Sequence, residues 1–230
     1  MIIVFIFPSL LFLLISIYSY LVLGVNMYLL ANAASSLLFS VYLAFRLYRY
    51  HIFLERKRFM FTFIELFILN FDVQKSIEPT INIIMSLFSP KEQKTLNKLQ
   101  KGDGLALLEQ LKFYFDDHYY ESFFDMLMLV IERGGSLIKV SEVLLYTIAD
   151  SEAQITKLMR IDNSYLIKFI FNWFFIMAVA VIFRFALNDT LDMTKLDLTY
   201  LIGNEIFMAT FMTSVTLLVE NRLRRSKNVT

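Results

Sequence analysis

No charged side chain occurs before Arg46. A chain that opens with 45 uncharged residues cannot place them all at a water interface, and it divides them into two apolar runs, residues 1–23 and 27–45, around Gly24, Val25 and Asn26. About 20 apolar residues cross a hydrocarbon core of roughly 30 Å, so each run is long enough to span. Gly and Asn tolerate the left-handed backbone of a tight turn, and the pair reads as a transmembrane hairpin. A signal peptide would carry a basic segment ahead of its apolar stretch, and this one has none. Ala31, Ala33, Ala34, Ser35, Ser36 and Ser40 give the second run small side chains that permit close helix approach in lipid.

Two further spans are expected at residues 166–187 and 198–219, on either side of the loop NDTLDMTKLD. Hydrophobic residues make up 57% of the chain and charged residues 19%, against roughly 45–50% and 25% in soluble domains. That excess fits four spans and excludes a disordered chain or a basic nucleic-acid-binding domain. Arg184 and Glu205 lie inside the last two spans. An intramembrane charge costs at least about 2.5 kcal/mol when uncompensated, so the two are either an ion pair across the hairpin or an arginine snorkelling to the headgroups beside a glutamate that faces other helices.

Orientation follows the basic residues that flank the spans. Arg46, Arg49, Arg56, Lys57 and Arg58 follow the second; Lys157, Arg160 and Lys168 border the third; Arg222, Arg224, Arg225 and Lys227 follow the fourth. With four spans, all three clusters share a side, while the opposite loop carries Asp189, Asp192 and Asp197 against Lys195 alone. The expected arrangement is an all-α membrane protein: a transmembrane hairpin at 1–46, a cytoplasmic helical bundle at 47–163, a second hairpin at 164–220 and a basic tail at 221–230. Both termini are expected in the cytoplasm, in a multi-pass protein of the cell (inner) membrane.

The middle segment has helical periodicity and readable punctuation. A helix pair is expected at 59–70 and 73–88, the second starting late or kinked at Pro79. Ser89 and Pro90 cap and open a helix that Gly102 would end from the C′ position. Asp103 caps the next, from Gly104 to Asp116. A helix over 120–133 stops at Gly134-Gly135, and Ser136 caps a long one whose Leu137, Val140, Leu144 and Ile148 share a face and which runs on toward the third span. LNKLQKGDGLALLEQL from Leu96 and MLVIERGGSLIKVSEV from Met128 superimpose Gly102 on Gly134, Leu105 on Leu137 and Leu108 on Val140, either as a duplication or as two amphipathic helix pairs that happen to share a glycine.

Chemistry is sparse. With no cysteine and two histidines, no thiol nucleophile exists and a zinc site is not expected. The six glycines form no phosphate-binding fingerprint. Asp116, Asp117, His118 and Glu121 are the one local cluster with metal-ligand chemistry, and they read better as a solvated helix end. No enzyme activity, cofactor or nucleic-acid partner is expected. The turn Glu132-Arg133-Gly134-Gly135 stands out, because it sets two unlike charges beside a glycine pair at an exposed helix junction, a candidate docking knob.

The segment FFDMLMLVIERGGSLIKVSEVLLYTIADSEAQITKLMR resembles the type II secretion system F domain, whose signature is an apolar helix ending in Gly-Glu-x-Ser/Thr-Gly-x-Leu and a long helix entering a membrane span. Glu132 matches its acid, Gly135 its glycine and Leu137 its leucine; Ile131 and Gly134 depart from it. LQKGDGLALLEQL is similar to the glycine and Ala-Leu helix of the domain's first half, and the likeness covers residues 61–183. The resemblance implies a platform protein of a pilus-type or secretion machine, closest to the single-domain tight-adherence type. Its implied partners are a cytoplasmic hexameric secretion ATPase, pilin-like subunits, the lipid bilayer, and either a paralogous platform protein or further copies of itself. A small transporter or channel subunit using Glu205 and Arg184, or a membrane-anchored scaffold, is the alternative.

Overall fold

A computed structural model describes residues 2–23, 27–100, 102–187 and 198–228. The turn at 24–26 and the acidic loop at 188–197 lie outside the described residues, as do the side chains of Arg222, Arg225 and Lys227. The described residues are helical, with no strand: α1 (Ile2–Leu23), α2 (Met27–Gln74), α3 (Ile77–Leu87), α4 (Pro90–Leu99), α5 (Gly104–Phe115), α6 (His118–Arg133), α7 (Leu137–Val140), α8 (Glu142–Leu187) and α9 (Leu198–Asn228). They form two compact units, one made of Met1–His51 with Ile155–Thr230 and the other of Ile52–Gln154.

Four of the helices, α1, α2, α8 and α9, are long and apolar enough to cross a membrane. The apolar stretch of α2 is counted over 47 residues, about 70 Å of helix, which is more than twice the thickness of a hydrocarbon core. Only the part ahead of Arg46 matches a span; the rest carries Arg46, Arg49, Glu55, Arg56, Lys57 and Arg58.

In the terminal unit, α1 and α2 are antiparallel. The Ser40 hydroxyl donates to the Pro8 carbonyl (3.1 Å). At the other end, the Tyr18 hydroxyl donates to Asn204 Oδ1 (3.3 Å), so α9 starts level with the later part of α1. It finishes beside the basic end of the α2 apolar stretch, where the Arg46 guanidinium pairs with Glu220 and the Tyr42 hydroxyl donates to the same carboxylate (3.3 Å). Trp173 of α8 packs on Phe207 and Phe211 of α9, at 5.3 and 5.0 Å between ring centroids. Leu11, Ile15, Val22, Leu43, Met208 and Phe211 are among the buried residues of this unit.

The middle unit is built on the second half of α2, which buries Phe59, Met60, Phe61, Phe63, Ile64, Phe67, Ile68 and Phe71. Phe63 contacts Phe88 (6.3 Å), Phe115 (6.5 Å) and Tyr120 (6.2 Å), and Phe67 meets Phe123 edge-on at 5.3 Å. Such ring pairs add about 0.5–1.5 kcal/mol each beyond the area they bury. The Tyr120 hydroxyl is fully buried and donates to the Leu108 carbonyl (3.1 Å); burial raises its pKa well above the ordinary phenol value.

Local signals set most helix ends. Glu92 accepts from the Ser89 N–H (3.0 Å) and hydroxyl (2.6 Å), with Pro90 in the first turn. Asp103 accepts from the Ala106 N–H at 2.9 Å. The helix around Pro79 starts late, at Ile77, after Lys75 turns with φ 51°.

Other expectations change. No break separates the second apolar run from residues 59–70, because α2 is continuous. Gly102 does not terminate α4 with a left-handed residue; the C-cap is Gln100, and the positive-φ glycines are Gly134 and Gly135. Ser136 caps only the one-turn α7, and the long helix begins afresh at Glu142. Val140 is 39% exposed while Ser141 is buried in its place. Both copies of the expected repeat run helix, glycine turn, capped helix, but they differ in form: Leu108 is buried in a helix of 12 residues, whereas Val140 is exposed in one of 4.

Gly104 is needed for space. A Cβ there would lie 2.8 Å from Ile77 Cγ2 and 3.0 Å from Ile81 Cδ1, while the Gly104 N–H donates to Glu78 (3.0 Å). Gly104→Ala is expected to destabilise the middle unit by about 1–3 kcal/mol through overpacking, read as a lower urea midpoint for the full chain in detergent. An unchanged midpoint would show that α3 yields freely.

Candidate functional site

The glycine turn after α6 is the feature that the sequence singles out, for its two unlike charges beside a glycine pair. Glu132, Arg133, Gly134 and Gly135 are all exposed. The Gly134 N–H closes the helix on the Val130 carbonyl (2.9 Å). Gly134 and Gly135 have φ of 75° and 124°, and a Cβ on either would meet nothing within 4 Å. Backbone conformation, then, and not crowding, calls for glycine at both.

What holds the turn lies 64 residues away. The Asp72 carboxylate, near the end of α2, accepts from the Ser136 hydroxyl, the Leu137 N–H (2.8 Å) and the Ile138 N–H (3.2 Å). Lys75 approaches it at 3.1 Å. The aspartate thus caps the first turn of α7 from another helix, supplying the negative charge that free N–H groups favour. Its burial works to raise the pKa, but the Ser136 hydroxyl, Leu137 N–H, Lys75 and Ile138 N–H outweigh that and hold it at about 2. Ser136 also accepts from the Lys139 N–H (3.4 Å), so hydroxyl and carboxylate together cap the turn.

A buried charge lies elsewhere in the same unit. The Lys57 side chain is 3% exposed, its ammonium 3.5 Å from Asp117 and 5.4 and 5.3 Å from the ring centroids of Phe61 and Tyr119. Burial lowers its pKa, and the attraction of Asp117 only partly offsets this. Asp117 also caps α6 by accepting from the Tyr119 N–H (3.0 Å). The rest of the acidic cluster is similarly occupied. Asp116 takes the left-handed position after α5, His118 bonds Ser122 and Glu121 pairs with Lys112. No group of three metal-ligating side chains forms among the described residues.

Glu205 is exposed and Arg184 half-buried. The buried stripe of α9 is Asn204, Met208, Phe211, Val215 and Val219. Glu205 is one residue off that stripe, about 100° round the helix, and the neighbouring amide turns inward instead. The acid of α9 that meets a base is Glu220, with Arg46.

Comparison with family models, curated proteins and solved structures yields no match to this chain. Its own geometry therefore carries the functional reading. The residues that sequence reasoning passed over are Asp72 and Asn204. Neither belongs to a local motif, although an aspartate ending an apolar helix run and an asparagine inside an apolar helix were both visible.

Two outcomes test this description. Because the folded pKa of Asp72 lies below its unfolded value, the stability it contributes is complete above about pH 4 and is lost as the pH falls through about 2. Asp72→Asn should cost about 2 kcal/mol at neutral pH and flatten the fall in urea midpoint between pH 4 and pH 2; an equal fall in both proteins would assign the acid sensitivity elsewhere. Lys57→Met should leave stability within about 1 kcal/mol of the original or raise it, whereas Asp117→Ala should cost about 3 kcal/mol by stranding a buried ammonium and uncapping α6. Equal losses from the two substitutions would contradict that account.

Proposed function

We propose that the chain is a membrane platform component of a pilus-type or secretion machine, and that the 132–135 turn is the docking point for a cytoplasmic ATPase. In this reading, α1, the first part of α2, the later part of α8 and α9 cross the bilayer, and the middle unit stands in the cytoplasm with both termini. The Arg46–Glu220 contact supports a common side for the basic ends of α2 and α9. Large apolar side chains exposed on the same helices, such as Leu30, Leu38, Phe171, Phe175 and Ile206, suit a lipid environment.

The observation that carries the reading is an exposed turn with a fixed shape. Two positive-φ glycines set its path, and Asp72 ties the residues that follow it to α2. A docking knob held in one conformation spends little ordering entropy on binding. Glu132 and Arg133 offer opposite charges to a partner, a combination that favours specificity and register over bulk affinity. The ATPase would act through this turn on a helical body joined by α2 and α8 to the apolar helices, along which pilin-like subunits could leave the bilayer. Self-association or a paralogous partner would complete the platform.

A photo-crosslinking amino acid at Arg133 in intact cells tests this directly. The expected adduct, identified by mass spectrometry, is a cytoplasmic secretion-type ATPase, and adding Asp72→Ala should reduce it severalfold. Adducts confined to lipid or to proteins of the outer face would refute both the orientation and the docking role.

A further inference from the structure

The interior of the terminal unit contains a polar layer that no expected function uses. Ser19, Asn32 and Asn204 are 1%, 2% and 6% exposed, on α1, α2 and α9 respectively. The Oγ atoms of Ser16 and Ser19 and the Nδ2 atoms of Asn32 and Asn204 are buried without a protein hydrogen-bond partner.

These groups share a height in the bundle. Eight residues along each helix from the Ser40–Pro8 contact bring α2 to Asn32 and α1 to Ser16, side by side in an antiparallel pair. The Tyr18–Asn204 hydrogen bond fixes α9 two residues further along α1, about 3 Å of rise. Four unused polar atoms from three helices therefore fall within a slab about one turn thick, next in sequence to buried side chains such as Ile15 and, one turn on, Met208.

An orphaned buried amide or hydroxyl costs about 1–3 kcal/mol, and four in one layer would be a severe penalty. The ligand that relieves it must accept from two NH2 groups and exchange donor and acceptor roles with two hydroxyls. A cation is disfavoured by the amide hydrogens. A bare anion would give up its hydration with no charged group among the four to replace it. Water meets the requirement, since a buried water makes about three hydrogen bonds and accepts as readily as it donates.

We propose that Ser16, Ser19, Asn32 and Asn204 form an internal hydration site, a polar layer of bound water joining α1, α2 and α9. The site stands on the packing of these helices alone and is independent of the platform reading. It makes α9 a water-bridged neighbour of the α1–α2 hairpin at this height, while Phe211, Val215 and Val219 pack dry further along.

X-ray radiolysis reads this site directly, because hydroxyl radicals form from a bound water where it sits and oxidise the side chains around it without a reagent entering from outside. The full-length chain in detergent would be irradiated and its oxidation located by mass spectrometry. Met208, 2% exposed and one turn from Asn204, should be oxidised several times faster than Met60, 1% exposed in the middle unit, and Asn32→Leu with Asn204→Leu should remove most of that difference. A Met208 rate no higher than that of Met60 overturns the proposal, as does a rate that the double substitution leaves unchanged.

Discussion

The middle unit depends on one constraint: the second half of α2 must be enclosed on nearly every side. From Phe59 to Phe71 the helix buries eight large apolar side chains, and no single neighbour covers a surface that wide, since a helix facing one partner needs an apolar stripe only about 100° across. The chain meets the demand with short helices. Phe88 follows α3, Phe115 ends α5, and Tyr120 and Phe123 belong to α6; each sets a ring against Phe59, Phe63 or Phe67. The frequent caps and turns between residues 75 and 136 follow from that geometry, for a helix that wraps another must stop once it has passed it.

Polar groups in this unit are placed where the wrapping helices begin. Asp103 caps α5, Asp117 caps α6, and Asp72 reaches from α2 itself to cap α7. The third differs in consequence. Asp103 acts on its own helix and Asp117 also meets Lys57 of α2, but Asp72 couples the central helix to the segment right after the glycine turn. Its carboxylate receives two N–H groups and a hydroxyl, and donors of that number keep it ionised far below neutral pH, so the tie does not weaken across physiological conditions.

The legible part of this architecture is the part encoded within a few residues. Ser89-Pro90, Asp103 and Gly134-Gly135 announce helix ends because capping and left-handed backbone are local chemistry, and the apolar runs announce α1 and α9 through length alone. Features that need a partner distant in sequence were not legible. The charges between Arg46 and Arg58 mark the end of the second apolar run, yet α2 continues through them, burying Leu54 and Lys57 and leaving Arg56 and Arg58 exposed. Gly102 resembles Gly134 in sequence, but only Gly134 and Gly135 adopt positive φ; a glycine next to a good N-cap residue serves the following helix as readily as the preceding one.

The same reasoning explains why charge was a poor guide to the interior of the terminal unit. A scan for ionisable residues in apolar segments selects Arg184 and Glu205, since their burial would be the most costly. That cost is also a reason to turn an acid such as Glu205 away from the bundle, and a helix needs only one residue of offset to do so; Arg184 stays half-buried. Amides and hydroxyls cost less to bury and can be satisfied by water, so they are what the interior retains: Asn32, Asn204, Ser19 and Ser36 are buried while Glu205 is exposed. Beside the Arg46–Glu220 pair, register among the helices is set by neutral hydrogen bonds, from Tyr18 to Asn204 and from Ser40 to the Pro8 carbonyl. The polar features that specify its packing are therefore the ones that a search for charge passes over.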